Sequence, residues 1–64
     1  MENEVITLLK NIEEQFHEAS YDAVKFTEGN NSAGTRVRKA MQNIKNLAQL
    51  VRVEVQEQKN SVPA

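Results

Sequence analysis

Three cations lie close together near the middle of the chain, at Arg36, Arg38 and Lys39. Gly34 and Thr35 precede them and offer open backbone and a hydroxyl group. If this segment begins a helix, the macrodipole disfavours each cation there by about 0.3–1 kcal/mol. Residues that break a local rule often serve function, and a helix N-terminus with cations binds anions well. The segment is therefore a candidate anion site.

Cations also recur every seven residues, at Arg38, Lys45, Arg52 and Lys59. On one helix, this spacing places them in a single row beside the apolar seam. The row could follow a phosphate backbone. It could equally face acids of a neighbouring helix, such as Glu13, Glu14 and Asp22. In the same way, Arg36 and Lys39 could simply neutralise Glu28 and the negative end of a preceding helix.

Several other functions are disfavoured by composition. The 64 residues include no cysteine and one histidine, which excludes disulfides, thiol chemistry and a multi-histidine metal site. Glu13 and Glu14 are adjacent and point about 100° apart on a helix, so no acid–base pair is formed. We expect no enzyme activity, cofactor, metal or small-molecule substrate. The short apolar runs and the acidic N-terminus predict no membrane span and no signal peptide, hence a cytoplasmic protein.

Hydrophobic periodicity predicts the elements that carry these residues. Apolar residues recur with alternating spacings of four and three at Val5, Leu9, Ile12, Phe16, Ala19, Ala23 and Phe26. The second half repeats the pattern at Val37, Met41, Ile44, Ala48, Val51 and Val55. This is the seam of a packed helix. We predict one domain over 1–60, with helices over about 3–28 and 33–59, a hinge over 29–32 and a frayed tail over 61–64.

The hinge and the charge distribution suggest an assembly. Gly29 suits the end of the first helix, and Asn31 or Ser32 can cap the second. So short a connection predicts an all-α antiparallel hairpin, and so small a chain needs oligomerisation to bury a core. Residues 1–30 carry a net charge of −5 and residues 31–64 a net charge of +4. We expect a homodimeric four-helix bundle, or a higher oligomer, with Phe16 and Phe26 in its core.

The segment around the cation cluster also carries a family motif. Gly29-Asn30, then Ala33, then Arg36-Val37-Arg38 opening a long helix, resembles the core motif of the bacterial linker-histone-like proteins of the chlamydial type. The resemblance extends through residues 44–48 and the acidic first helix. It implies a non-catalytic protein that binds DNA and helps to condense the chromosome in the nucleoid. We expect the chain, which ends at Ala64, to lack the Lys-rich C-terminal tail of that type.

Two functions therefore remain in view. The first is sequence-independent binding of the DNA phosphate backbone. Its predicted site residues are Arg36, Arg38 and Lys39. Lys45 and Arg52 extend this basic surface along the helix, and Asn30 and Thr35 donate hydrogen bonds to phosphate oxygens. The alternative is a homo-oligomeric interaction module that binds no nucleic acid and uses the charges as interhelix pairs. RNA binding is a variant of the first function, which the few aromatic residues do not favour.

Overall fold

The computed structural model describes residues 3–61, which form α1 (Glu4–Thr27) and α2 (Asn31–Ser61). Asn3 caps α1, since its Oδ1 accepts a hydrogen bond from the Val5 N–H at 2.8 Å. The two helices pack side by side as a hairpin. At the open end, the side-chain amides of Asn3 and Gln58 join the two helices through hydrogen bonds of 2.8 Å. The prediction of an all-α helical hairpin is confirmed.

The hinge is tighter than the sequence suggests. Gly29 has a φ of +103°, a backbone conformation that glycine adopts without strain. Asn30 is the cap of α2, because its Oδ1 accepts the Ala33 N–H at 3.0 Å. Asn31 and Ser32, the caps expected from the sequence, already lie inside α2. Ser61 is the last residue of α2, and residues 62–64 of the predicted tail lie outside the described residues.

Small and branched side chains fill the seam between the helices. Leu8 and Ala19 of α1 and Ala33 and Ala40 of α2 are its buried residues within the described chain. Ile44, Leu47 and Val51 continue it as half-buried residues toward the open end. The Cα atoms span 55 × 20 × 11 Å, so the hairpin is a single layer of helices. A single layer has a thin seam but no interior.

The seam predicted from the sequence is wider than the seam of this hairpin. Six of its residues are exposed: Leu9, Phe16, Phe26, Met41, Ala48 and Val55. Phe16 is 62% exposed and Phe26 51%, which corrects, for the hairpin, the expectation that both are core residues. The reason is geometric: one neighbouring helix covers only a narrow stripe, and α1 turns Leu8 rather than Leu9 toward α2. The exposed six lie just beside that stripe.

One glycine in α2 is constrained by a neighbouring ring. A Cβ at Gly34 would lie 2.6 Å from Cδ1 of Phe26. In a free helix, Gly34→Ala gains about 1 kcal/mol in helix propensity. We expect that gain to be lost in the natural protein and restored in the Phe26→Ala background, a coupling of at least about 0.5 kcal/mol. Urea unfolding of the four proteins measures it, and equal gains in both backgrounds would contradict the constraint.

Candidate nucleic-acid interface

The predicted site residues are all exposed. The side chains accessible in the hairpin include all seven of them: Arg36, Arg38, Lys39, Lys45, Arg52, Asn30 and Thr35. The five cations fall within residues 31–53 of α2, a stretch that contains no aspartate or glutamate. The acids of α2, Glu54 and Glu57, follow this stretch and lie toward the open end of the hairpin. Most of the length of α2, beginning at the hinge, is therefore a positively charged surface.

The three cations of the hinge cluster (Arg36, Arg38 and Lys39) do not converge on one point. Arg36 and Lys39 line a groove between the helices on one side of the hairpin, together with Asp22. Arg38 lies on the other side, where it lines a shallow depression with Thr35 and Phe26. The division follows from helical geometry, because successive residues are about 100° apart. The cluster surrounds the first turns of α2 rather than enclosing a pocket.

Arg36 has a partner across the hinge. Its Nε donates to Oδ1 of Asp22 at 3.0 Å, and the two side chains are 50% and 18% exposed. The sequence offers Asp22 as a partner of the basic row and Glu28 as a partner of Arg36. The pair could have been found from the hairpin symmetry, since Asp22 and Arg36 each lie seven residues from Gly29. A half-exposed pair of this kind is worth less than about 1 kcal/mol, so phosphate can compete for Arg36.

The remaining site residues extend the surface in two directions. The Oδ1 of Asn30 is used in capping α2, which holds this side chain at the hinge. Lys45 and Arg52 follow Arg38 at intervals of seven residues, about 10.5 Å each along the helix. The structure thus places the basic row (Arg38, Lys45, Arg52 and Lys59) along one edge of α2. An exposed convex surface of this shape suits contact with an extended polyanion.

Residues 3–61 contain no group of three or more His, Asp or Glu side chains that could hold a metal ion. Among the same residues, no helix has the length and apolar character needed to cross a bilayer. His17 and Tyr21 form an edge-to-face ring contact with centroids 6.1 Å apart, and both residues are exposed on α1. The positively charged surface of α2 is the strongest candidate.

Comparison with known proteins identifies the family of this chain. No curated protein and no solved structure matches the chain at a significant level. A family model described as "Histone H1-like protein Hc1" matches residues 6–61. The match includes both helices and the hinge, and it confirms the resemblance to linker-histone-like proteins at the level of the family. Because it spans well over half of the 64 residues, the chain belongs to the histone H1-like Hc1 family, a family of non-catalytic DNA-binding proteins.

Proposed function

We propose that this protein binds the DNA phosphate backbone without sequence preference and helps to organise and condense the chromosome in the cytoplasmic nucleoid. The observation that carries the proposal is the exposed, acid-free stretch of α2 with its five cations, in a chain of a histone H1-like family. Lysine and arginine contacts to phosphate supply affinity and orientation, but they read no bases. The function needs neither a pocket nor a cofactor.

The geometry of α2 supports a specific mode of contact. The hinge cluster surrounds the N-terminal turns of the helix, where the macrodipole adds to the positive potential. Thr35 lies beside Arg38 and can donate its hydroxyl group to a phosphate oxygen. Asn30, held at the hinge by its capping bond, can donate from its side-chain nitrogen. Lys45 and Arg52 then extend the contact along the duplex.

Self-association is part of this proposal. The whole chain has a formal net charge of −1, so a single hairpin is a weak polyanion ligand overall. Joining two hairpins in a four-helix bundle doubles the number of α2 surfaces that can engage one DNA molecule, which raises the avidity. The alternative, an interaction module that binds no nucleic acid, is less favoured because it gives no reason for membership of a DNA-binding family.

Salt-dependent binding tests the proposal. We expect a labelled duplex of 30 base pairs, titrated with the protein and followed by fluorescence anisotropy, to bind equally well whatever its sequence. With about six phosphate contacts per dimer, log K should fall with log salt at a slope near −5. A duplex RNA of matching length serves as the comparison ligand. Absence of DNA binding at low salt, or a strong preference among duplex sequences, would contradict the proposal.

A further inference from the structure

The two sides of the hairpin differ in polarity. On one side, polar contacts join the helices: Arg36 with Asp22 at 3.0 Å, and Asn43 with Gln15 at 3.5 Å. On the other side, Phe26 lies against Gly34, which is one heptad before Met41. This second side carries what we term the apolar face, formed by Leu9, Phe16, Phe26, Met41, Ala48 and Val55. The large side chains of this face are 38–62% exposed.

The size of the apolar face suits a stable protein–protein interface. The 24 residues of α1 give the face a length of about 36 Å, and the hairpin is 20 Å wide. Two such faces in contact would bury about 700 Å² each, or about 1,400 Å² in total, which is within the range of specific interfaces. A second copy of the chain offers an equal face of the same length and hydrophobic character.

Charge decides how a second copy can be oriented. The basic row borders the apolar face on α2, since Arg38, Lys45 and Arg52 each lie three residues before a residue of the face. The corresponding border of α1 contains Ile6, Glu13 and Ser20 and no cation. If α2 lay on α2 of the second copy, two basic rows would face each other. If α1 lies on α2, the helix with most of the acids meets the helix with most of the cations.

We propose that a second copy of the chain covers the apolar face, with α1 of each copy lying on α2 of the other and both hinges at the same end of the dimer. The two copies are related by a twofold axis parallel to the helices. This arrangement keeps every pair of neighbouring helices antiparallel. It also encloses Phe16 and Met41, which a single hairpin leaves exposed. The consequence of this arrangement for DNA binding rests on the proposed function.

That consequence concerns the hinge clusters. With helix axes about 10 Å apart, the two α2 N-termini would lie at diagonal corners of the bundle, about 14 Å from each other. Both would face the same end of the dimer and could contact one duplex together. In the opposite orientation, with α2 on α2, the clusters would lie at opposite ends of a rod whose Cα atoms span about 55 Å.

The antiparallel register identifies a pair of residues that reports on the arrangement. Asp22 contacts Arg36 and Gln15 contacts Asn43, so residues whose numbers sum to about 58–61 lie at the same height. Rotation about an axis parallel to the helices preserves height. Glu13 of one copy would therefore lie beside Lys45 of the other. Within a single hairpin these two residues are on opposite outer edges, on helices about 10 Å apart, which exceeds the reach of a disulfide.

Cysteine cross-linking tests the arrangement on a chain that has no natural cysteine. We expect the double variant Glu13→Cys/Lys45→Cys, oxidised without DNA, to form a covalent dimer on a non-reducing gel. Neither Glu13→Cys alone nor Lys45→Cys alone should give a covalent dimer on this gel, because identical residues of the two copies lie at diagonal corners of the bundle. A dimer of Lys45→Cys alone would overturn the orientation, since α2 on α2 places Lys45 near its own copy. If the double variant gave no covalent dimer, the proposal that a second copy covers the apolar face would be overturned.

A charge reversal provides a second measurement with a matched control. Glu13→Lys should weaken the dimer at least tenfold in sedimentation equilibrium, because it places a cation beside the basic row of the other copy. Glu14→Lys makes the same change one residue away, about 100° around the helix and off the border of the face, and should change dimer affinity less than threefold. Equal effects would overturn the arrangement. Neither experiment contains DNA, so failure here is distinguishable from failure of the proposed function.

Discussion

We expect the replacement of Arg36 and Arg38 together by alanine to lower the affinity for duplex DNA at least tenfold, about 1.4 kcal/mol. Both side chains are exposed on the first turns of α2, where they can reach phosphate without rearrangement of the helix. Each phosphate contact contributes about −0.9 to the slope of log K against log salt. Loss of four such contacts per dimer should reduce the slope from near −5 to about −2. Anisotropy titrations at several salt concentrations measure both quantities.

The control removes the same charge from the other helix. Lys10→Ala/Lys25→Ala also takes two positive charges from each chain, but from α1. It should change DNA affinity less than threefold if the α2 surface is the site. Circular dichroism checks the fold of both variants. Loss of the Arg36–Asp22 ion pair should not unfold the hairpin, because the pair is too exposed to contribute much stability. Equal losses in the two variants would indicate that only net charge matters, which contradicts the assigned surface.

Periodicity predicts the helices of this protein but not how their apolar residues are shared between contacts. Two helices joined by a short hinge follow directly from the spacing of the apolar residues and from Gly29. The same spacing could not separate Leu8 from Leu9, because both lie within one broad apolar stripe. Which of the two faces α2 depends on which stripe of α1 packs against α2, and the buried residues Leu8 and Ala19 mark that stripe. Tertiary packing determines which leucine is buried, and the periodicity of the sequence does not predict it.

The candidate site is more readable from sequence than the seam. Surface cations need only a helix and solvent, so their exposure follows from local pattern alone. Helical geometry alone separates Arg36 from Arg38 by about 200°, but the sequence did not reveal that Asp22 lies beside the first and Phe26 beside the second. The neighbours of each cation depend on which stripe of α2 packs against α1. An error of one residue in the seam therefore changes the expected neighbours of every cation.

Phe16→Ala should dissociate the proposed dimer, raising its dissociation constant at least a hundredfold, about 2.7 kcal/mol. Phe16 is 62% exposed in the hairpin, so its removal leaves no cavity within one copy. In the dimer its ring is enclosed, and truncating a buried phenylalanine costs about 3–5 kcal/mol. Because alanine is the best helix former, lost helix propensity contributes nothing to the effect. Sedimentation equilibrium measures the dissociation constant.

Tyr21→Ala is the matched control for this experiment. Tyr21 is another exposed aromatic residue of α1, at 69%, but it lies outside the apolar face and contacts His17. Its replacement should change the dissociation constant less than threefold. If both variants weakened self-association equally, general loss of surface hydrophobicity would explain the result better than a defined face. If neither did, the second copy would have to bind elsewhere, and the exposure of Phe16 would need another explanation. A selective effect of Phe16 is expected because a twofold dimer uses each residue of the face twice.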